Sequence, residues 1–165
     1  MIQVIIKPVR YFNPDYLKTI LIRKRGLADG DSIPLIESYS NEVVFGGSRL
    51  NDYEKVCEFS GGQHVPVTYP HILAFELHAK NMLSKKFPIP LMGIVHVSNK
   101  IEQLRPISRV EAVNLKCFIN GERRTERGIE FVLMAEARSG DEVIWKSSST
   151  MLYRQKNKST GPKKT

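Results

Sequence analysis

Four histidines, His64, His71, His78 and His96, are the side chains of this sequence best suited to move a proton near neutral pH. His71 follows the run Pro66-Val67-Thr68-Tyr69-Pro70, which opens a long apolar helix. At that place it meets any carbonyl drawn to the positive end of the helix dipole, as a donor or base, or else it bonds backbone and water. His78 lies seven residues on, on the same face but roughly 10 Å further along the axis. That separation does not suit two ligands of one metal and fits a hydrogen-bonded helix histidine. His96 is expected in the middle of a strand, on the face of Ile94 and Ser98, lining a channel, reaching a dimer seam or packing across the sheet. His64 follows Gly61-Gly62-Gln63 in a loop near the helix start. Glu76 is the acid of the first two helical turns, and Lys80 four residues on offers it an ordinary ion pair. Arg123, Arg124 and Arg127 are expected around a turn after Gly121, and Arg105 at a strand end. Such guanidinium groups bind phosphates, or they are the ordinary charges of exposed turns. Cys117 alternates with apolar neighbours and has no histidine near it in sequence, which reads as an inert thiol rather than a nucleophile.

These residues need elements to hold them. Asn13-Pro14-Asp15 starts a first helix with a capping side chain, a proline and an acid near the dipole's positive end; Gly26 ends it. Ile33 to Phe45 reads as extended, with a break near Ser38 to Asn41. Asn51-Asp52 is expected to cap a short helix through Val56 and Phe59, stopped by Ser60-Gly61-Gly62. The second long helix runs from about Pro70 to Ser84. Ile72, Leu73, Phe75, Leu77, Ala79, Met82 and Leu83 cover most of its circumference, so it is expected to be buried. From Pro88 the period changes to two. Ile94 to Ile101, Val110 to Ile119, Gly128 to Arg138 and Glu142 to Tyr153 are predicted strands, with Asn120-Gly121 and Ser139-Gly140-Asp141 as turns. Four strands with short links predict an antiparallel meander, and one buried helix beside it makes an α+β domain.

Bulk properties narrow the function classes. The 165 residues suffice for one domain with a real core. No apolar run approaches the ~18 residues of a membrane span, and Met1 to Arg10 lacks the long apolar stretch of a secretory leader. Cys57 and Cys117 are expected as two buried free thiols, which with the missing leader places the protein in the cytoplasm. The net charge of +8 invites a nucleic-acid reading, but Arg154, Lys156, Lys158, Lys163 and Lys164 carry five of the eight charges. Residues 155–165 read as a solvated basic tail, and neither base-stacking aromatic strands nor zinc spacing is present, so no nucleic-acid partner is expected.

The stretch Pro66 to Ile107 resembles the hotdog domain of MaoC-like acyl dehydratases. The residues that carry the resemblance are Thr68-Tyr69-Pro70-His71, Phe87-Pro88, Gly93-Ile94-Val95-His96-Val97, Asn99, Ile101 and Arg105-Pro106. Gly128-Ile129-Glu130-Phe131 and Val143-Ile144-Trp145-Lys146-Ser147 continue it. More narrowly, the chain is similar to the amino-terminal hotdog of two-domain members. The resemblance implies a hotdog fold over residues 31–154, a curved antiparallel sheet wrapped around the long helix, after an amino-terminal helical extension of residues 1–30. It implies an acyl thioester of coenzyme A or of an acyl carrier as ligand, and reversible hydration of a 2-enoyl thioester as the reaction. No metal or redox cofactor is implied. Assembly is expected as a homodimer or dimer of dimers, with sheets paired edge to edge, or with a catalytic hotdog partner.

The hydration needs a base to activate water, an acid to protonate the adjoining carbon, and N–H donors for the thioester oxygen. The family's signature is Asp-x-Asn-Pro-x-His at the start of the buried helix. With its proline on Pro70, Val67 stands at the Asp position, Tyr69 at the Asn and Ile72 at the His. His71 is displaced by one residue, a turn of about 100°. The resemblance therefore leaves His71, Glu76 and His96 as candidate catalytic residues and Tyr69, Pro70, Gly93, Arg105 and Arg124 as candidate substrate contacts. Hotdog thioesterases carry a carboxylate on this helix, so a Glu76-activated water is the alternative chemistry. The other alternative is a noncatalytic acyl-binding half that shapes a tunnel for a catalytic partner.

Overall fold

The structure, a computed structural model, describes residues 24–154. The expected first helix lies outside the described residues except for its end, and the basic tail lies wholly outside them. At residues 24–26 the chain is irregular, and the Gly26 N–H donates to Pro88 O.

Five strands and two helices follow. Strand β1 is Glu37–Val44, helix α1 Ser48–Val56, helix α2 Tyr69–Leu83, and strands β2 to β5 are Ile94–Gln103, Ala112–Thr125, Gly128–Ser139 and Glu142–Tyr153. All pairings are antiparallel, in the order β1-β3-β4-β5-β2. The fold is the expected α+β hotdog, a curved sheet with α2 on its inner face.

The strand order corrects the expected four-strand meander. β3, β4 and β5 form one, but β2 pairs with β5 and stands at the far edge, separated from β3 by β4 and β5. A period-two pattern specifies which face of a strand is apolar and leaves its neighbours open. The turn expected at Asn120-Gly121 is instead a bulge inside β3: the register slips between Asn120 and Glu122, and Gly121 takes φ +65°. The hairpin turns two residues later in sequence than Arg124, at Glu126-Arg127, with Thr125 opposite Gly128. Arg123 and Arg124 are therefore strand residues, and of the three arginines only Arg127 is in the turn.

Helix α1 begins three residues before the expected cap. Gly47, at φ +111°, turns the chain into it, and Asn51 N–H donates to Gly47 O within its first turn. The Asn51 side chain accepts from Arg109 instead. Cys117 is buried and free as expected; Cys57, the residue after α1, is free but exposed.

The largest revision concerns α2. It is buried on one side only, through Tyr69, Pro70, Ala74, His78 and Asn81. Ile72 remains 45% exposed and Phe75 63% exposed. The buried face spans the polar residues and the opposite face carries large apolar ones, so hydrophobicity all round signals two covered faces, of which the described residues cover one. The buried face rests on β1, β3 and β4. Near its start lies a core around Trp145, Phe45, Leu50 and Ala74, and beyond its far end a second around Phe87, Ile89, Phe131 and Ile129. Between them Asn81 ties the layers: its Nδ2 donates to Cys117 O at 3.0 Å on β3, and Ser38 Oγ on β1 donates to its Oδ1.

Candidate functional site

The start of α2 is set by its neighbours rather than by a side-chain cap. Thr68 is already helical in conformation, and no side chain caps the first turn. Tyr69 N–H donates to Pro66 O, His71 N–H donates to Thr68 O, and Pro70 has no N–H to give. The donors that would grip a thioester oxygen are thus used within the turn itself. Trp145, fully buried on β5, donates from Nε1 to Val67 O at 2.8 Å and holds the preceding loop down. Tyr53 on α1 and Thr68 share a hydroxyl hydrogen bond of 2.6 Å.

His71 points toward β5, where its Nδ1 lies 3.2 Å from Ser147 Oγ. Burial, then the nearby His96, pushes its pKa below the ordinary histidine value. The His78 ring stands 6.1 Å from that of His71, centroid to centroid. His78 is 2% exposed and neither ring nitrogen has a hydrogen-bond partner. Burial, reinforced by His71, lowers its pKa to about 4, so it is neutral at physiological pH.

His96 lies near the start of β2, and a bulge corrects its expected face. The register slips between His96 and Ser98, so His96 opposes Met151 while Ser98 opposes Thr150. Cross-strand partners share a face. His96 therefore sides with Asn99 and Ile101, which oppose Ser149 and Ser147, and not with Ser98. Its Nε2 donates to the Ser98 carbonyl at 3.0 Å. Ser149 Oγ donates to Asn99 Oδ1 at 3.4 Å. The inner faces of β5 and β2 thus form a polar strip beside the first half of α2, with His71 bonded to one of its serines.

The other candidates sit elsewhere. Glu76 is about 140° around the helix from His71 at 100° per residue, and its carboxylate pairs with Arg49 at 3.4 Å rather than with Lys80. Tyr69 is 3% exposed and packs against Phe45 and Tyr53 in the core; Pro70 is buried beside it. Gly93, at φ +97°, makes the turn into β2 and lies against the Tyr153 ring. Arg105 forms a two-pronged bond to Glu111 at 2.6 and 3.0 Å and a further contact to Glu142, and its hydrogen bonds hold the Glu111 pKa down at about 2. Arg124 ties down the loop at Ala28 and Asp29. Arg123 and Arg127 both pair with the carboxylate of Glu130. His64 bridges to Ser108 through its backbone. Cys117 is pushed up to about 12 by burial, which leaves it protonated. At the signature positions Val67 is 42% exposed and Ile72 45% exposed.

Ser147, Ser149, Asn99 and Trp145 are the site residues that pattern reading missed. Their signal was there, in the alternation of Trp145, Ser147 and Ser149 along β5, but only the pairing shows that this row faces the helix. Among the described residues no group of three His, Cys, Asp or Glu side chains is placed to hold a metal.

No family model matches the chain. Over 134 residues it is 28% identical to 3-hydroxyacyl-thioester dehydratase X of Mycobacterium tuberculosis (strain ATCC 25618 / H37Rv), a match that covers 81% of this chain and 48% of that protein. The chain thus spans about half the length of the curated relative it matches. The crystal structure of HtdX from Mycobacterium tuberculosis superposes with a TM-score of 0.65 at 28% identity, over 72% of this chain and 51% of that one. The HadBC (3R-hydroxyacyl-ACP dehydratase) complex of the same organism superposes with a TM-score of 0.55 at 12% identity, over 72% of this chain and 94% of that one, a likeness of fold. A five-stranded sheet around α2, the residues Tyr69-Pro70-His71 at its start and a dehydratase similar in both sequence and fold give this chain a hotdog fold and a likeness to the MaoC-like dehydratases.

Proposed function

We propose that this chain is the acyl-binding hotdog of an acyl-thioester hydratase or dehydratase, and that a second hotdog supplies the acid and base. The observation that carries this reading is the state of the α2 start. Val67 and Ile72 occupy the two acid–base positions of the signature and present hydrocarbon to the surface, and the Tyr69 and His71 N–H groups are already bonded. That arrangement favours contact with an acyl chain over activation of water. His71 and His96, beside the polar strip of β5 and β2, would orient polar atoms of the ligand. The ligand class follows from the relative's name, 3-hydroxyacyl-thioester dehydratase, and its doubled length supports a second hotdog as partner, whether on the same chain or separate. HadBC, which shares the fold, is a complex, and this supports the same arrangement. Edge strand β2, with Val95 and Val97 exposed, is the surface such a partner would extend. In this reading the protein needs no metal or redox cofactor. Hydrolysis through Glu76 has no comparable support, because its carboxylate faces Arg49.

The test is crotonyl thioester mixed with the purified chain. Saturable binding without hydration above background is expected. Hydration that disappears in His71→Ala would overturn the noncatalytic reading and make His71 the base.

A further inference from the structure

A cavity of about 490 Å³ opens at the carboxyl end of α2, away from the histidines, and Lys24 stands in its wall. The segment that carries Lys24 is held in place, because the Gly26 N–H donates to Pro88 O and Leu27 is buried. From there Lys24 reaches over the end of the helix. Its Nζ donates to Met82 O at 2.6 Å and to Ser84 O at 3.1 Å, and lies over the Phe87 ring. One role for this contact is to cap the last carbonyls of α2 and offset its dipole. A cap of that kind works best as a hydrated ammonium at the surface. Lys24 is instead drawn against the fully buried Phe87, and the lost hydration lowers its pKa to about 8. Asp31, the acid of the cavity wall, pairs with Arg25 at 3.2 Å. The two carbonyls satisfy both N–H donors of a neutral amine and leave its lone pair to react.

The rest of the cavity selects what reaches that amine. Arg25, Lys85 and Lys86 line it, and all three are exposed at its rim. Three cations against one acid make the mouth positive and suit a doubly charged phosphate better than a single carboxylate. The volume falls among those of small-molecule sites, about 300–1,000 Å³. We propose that Lys24 is a covalent binding site for a small phosphorylated aldehyde or ketone, held as an imine on Nζ with its phosphate among Arg25, Lys85 and Lys86. The amine lone pair adds to the carbonyl carbon, and one amine proton passes to the carbonyl oxygen. The resulting carbinolamine loses water, so C=O becomes C=N with no change of oxidation state. The protonated imine keeps one N–H for one of the two α2 carbonyls. This site lies apart from the α2 start and stands whether or not the acyl-binding reading does.

The test uses pyridoxal 5′-phosphate as a chemical probe on the full chain, with borohydride to reduce the imine and mass-spectrometric peptide mapping to locate it. At pH 8 and limiting probe, Lys24 should be labelled ahead of the other lysines. At pH 6 its labelling should fall about tenfold or more, as the amine is protonated. Pyridoxal, which lacks the phosphate, should label Lys24 several-fold less, and inorganic phosphate should slow labelling by the phosphorylated probe. Lys24→Arg, with its fold checked by circular dichroism, keeps the positive charge at the helix end and should lose the selective label. Lys85→Gln/Lys86→Gln retains Lys24 and should bring pyridoxal 5′-phosphate down toward the level of pyridoxal. Label spread evenly over the lysines, or Lys24 unlabelled at pH 9, would leave Lys24 as a helix cap alone and overturn the proposal. Equal labelling of Lys24 by the two probes would overturn it as well, by removing the phosphate from the recognition.

Discussion

His78 is a buried imidazole with two unpartnered nitrogens, 6.1 Å from His71. A histidine free in the unfolded chain titrates near 6.5, whereas this one titrates at about 4. Between those values the unfolded chain binds more protons, so stability rises with pH. The contribution is fully present above pH 6.5 and is lost as pH falls through 4. It amounts to ~3 kcal/mol if the whole shift is expressed. The depressed value of His71 acts in the same direction. His78→Leu removes the unsatisfied nitrogens at similar volume and should leave stability at pH 7 unchanged or higher. Calorimetric melting from pH 7 to pH 4 should show a shallower decline in the variant than in the natural chain. An equal decline would show that His78 is not the titrating group. The sequence showed that His78 shares a helix face with His71. That this face is the buried one, and that the ring finds no partner, follows from Ser147 taking His71 while no donor or acceptor reaches His78.

Helix α2 is held to the sheet by two polar anchors as well as by packing. In its last turn, Asn81 joins β1 and β3 through Ser38 and Cys117 O. Asn81→Ala leaves those groups unsatisfied and opens a small void, at a cost of about 3 kcal/mol. Ser38→Ala should cost less, about 1 kcal/mol, and the double variant should cost less than the sum, because both changes break one network. Urea unfolding of the four proteins measures this; additive losses would show that the two side chains act independently. At its start, Trp145 pins the Val67 carbonyl. Trp145→Phe loses the bond and one ring of the buried indole, about 3 kcal/mol, and should also weaken crotonyl-thioester binding by loosening the turn that carries His71. Unchanged binding in that variant would separate the anchor from ligand binding. Asn81 read in sequence as one polar interruption of an apolar helix. Only the approach of two strands at that level turns it into the tie between layers.

The sheet ends on one side in β2, which has β5 as neighbour and nothing beyond it among the described residues. Val95 is 42% and Val97 45% exposed on that edge. Edges of this kind pair with another strand unless a charge blocks them. The natural chain should sediment as a dimer or larger at micromolar concentration. Val97→Lys should shift it toward monomer with little change in unfolding free energy, within about 0.5 kcal/mol, as for other exposed positions. Monomeric natural chain, with dimer formed only on addition of a second hotdog, would assign the edge to that partner.

Local pattern was enough to determine the class of this fold. The 3.6-residue period over Tyr69–Leu83 and the two-residue period after Pro88 each reflect a single backbone geometry, and they place α2 and β2 to β5 close to where they are found. The presence of Val67 and Ile72 where the resemblance expects an Asp and a His is equally local, because no packing alters a residue's type. Tertiary structure decided the rest: β2 beside β5, the slip that parts His96 from Ser98, the serine row beneath His71 and the cationic cavity behind α2. These depend on which segments meet across gaps of tens of residues. A face or a period is written within one turn or two strand positions, whereas a neighbour is chosen by the free energy of the whole packed chain.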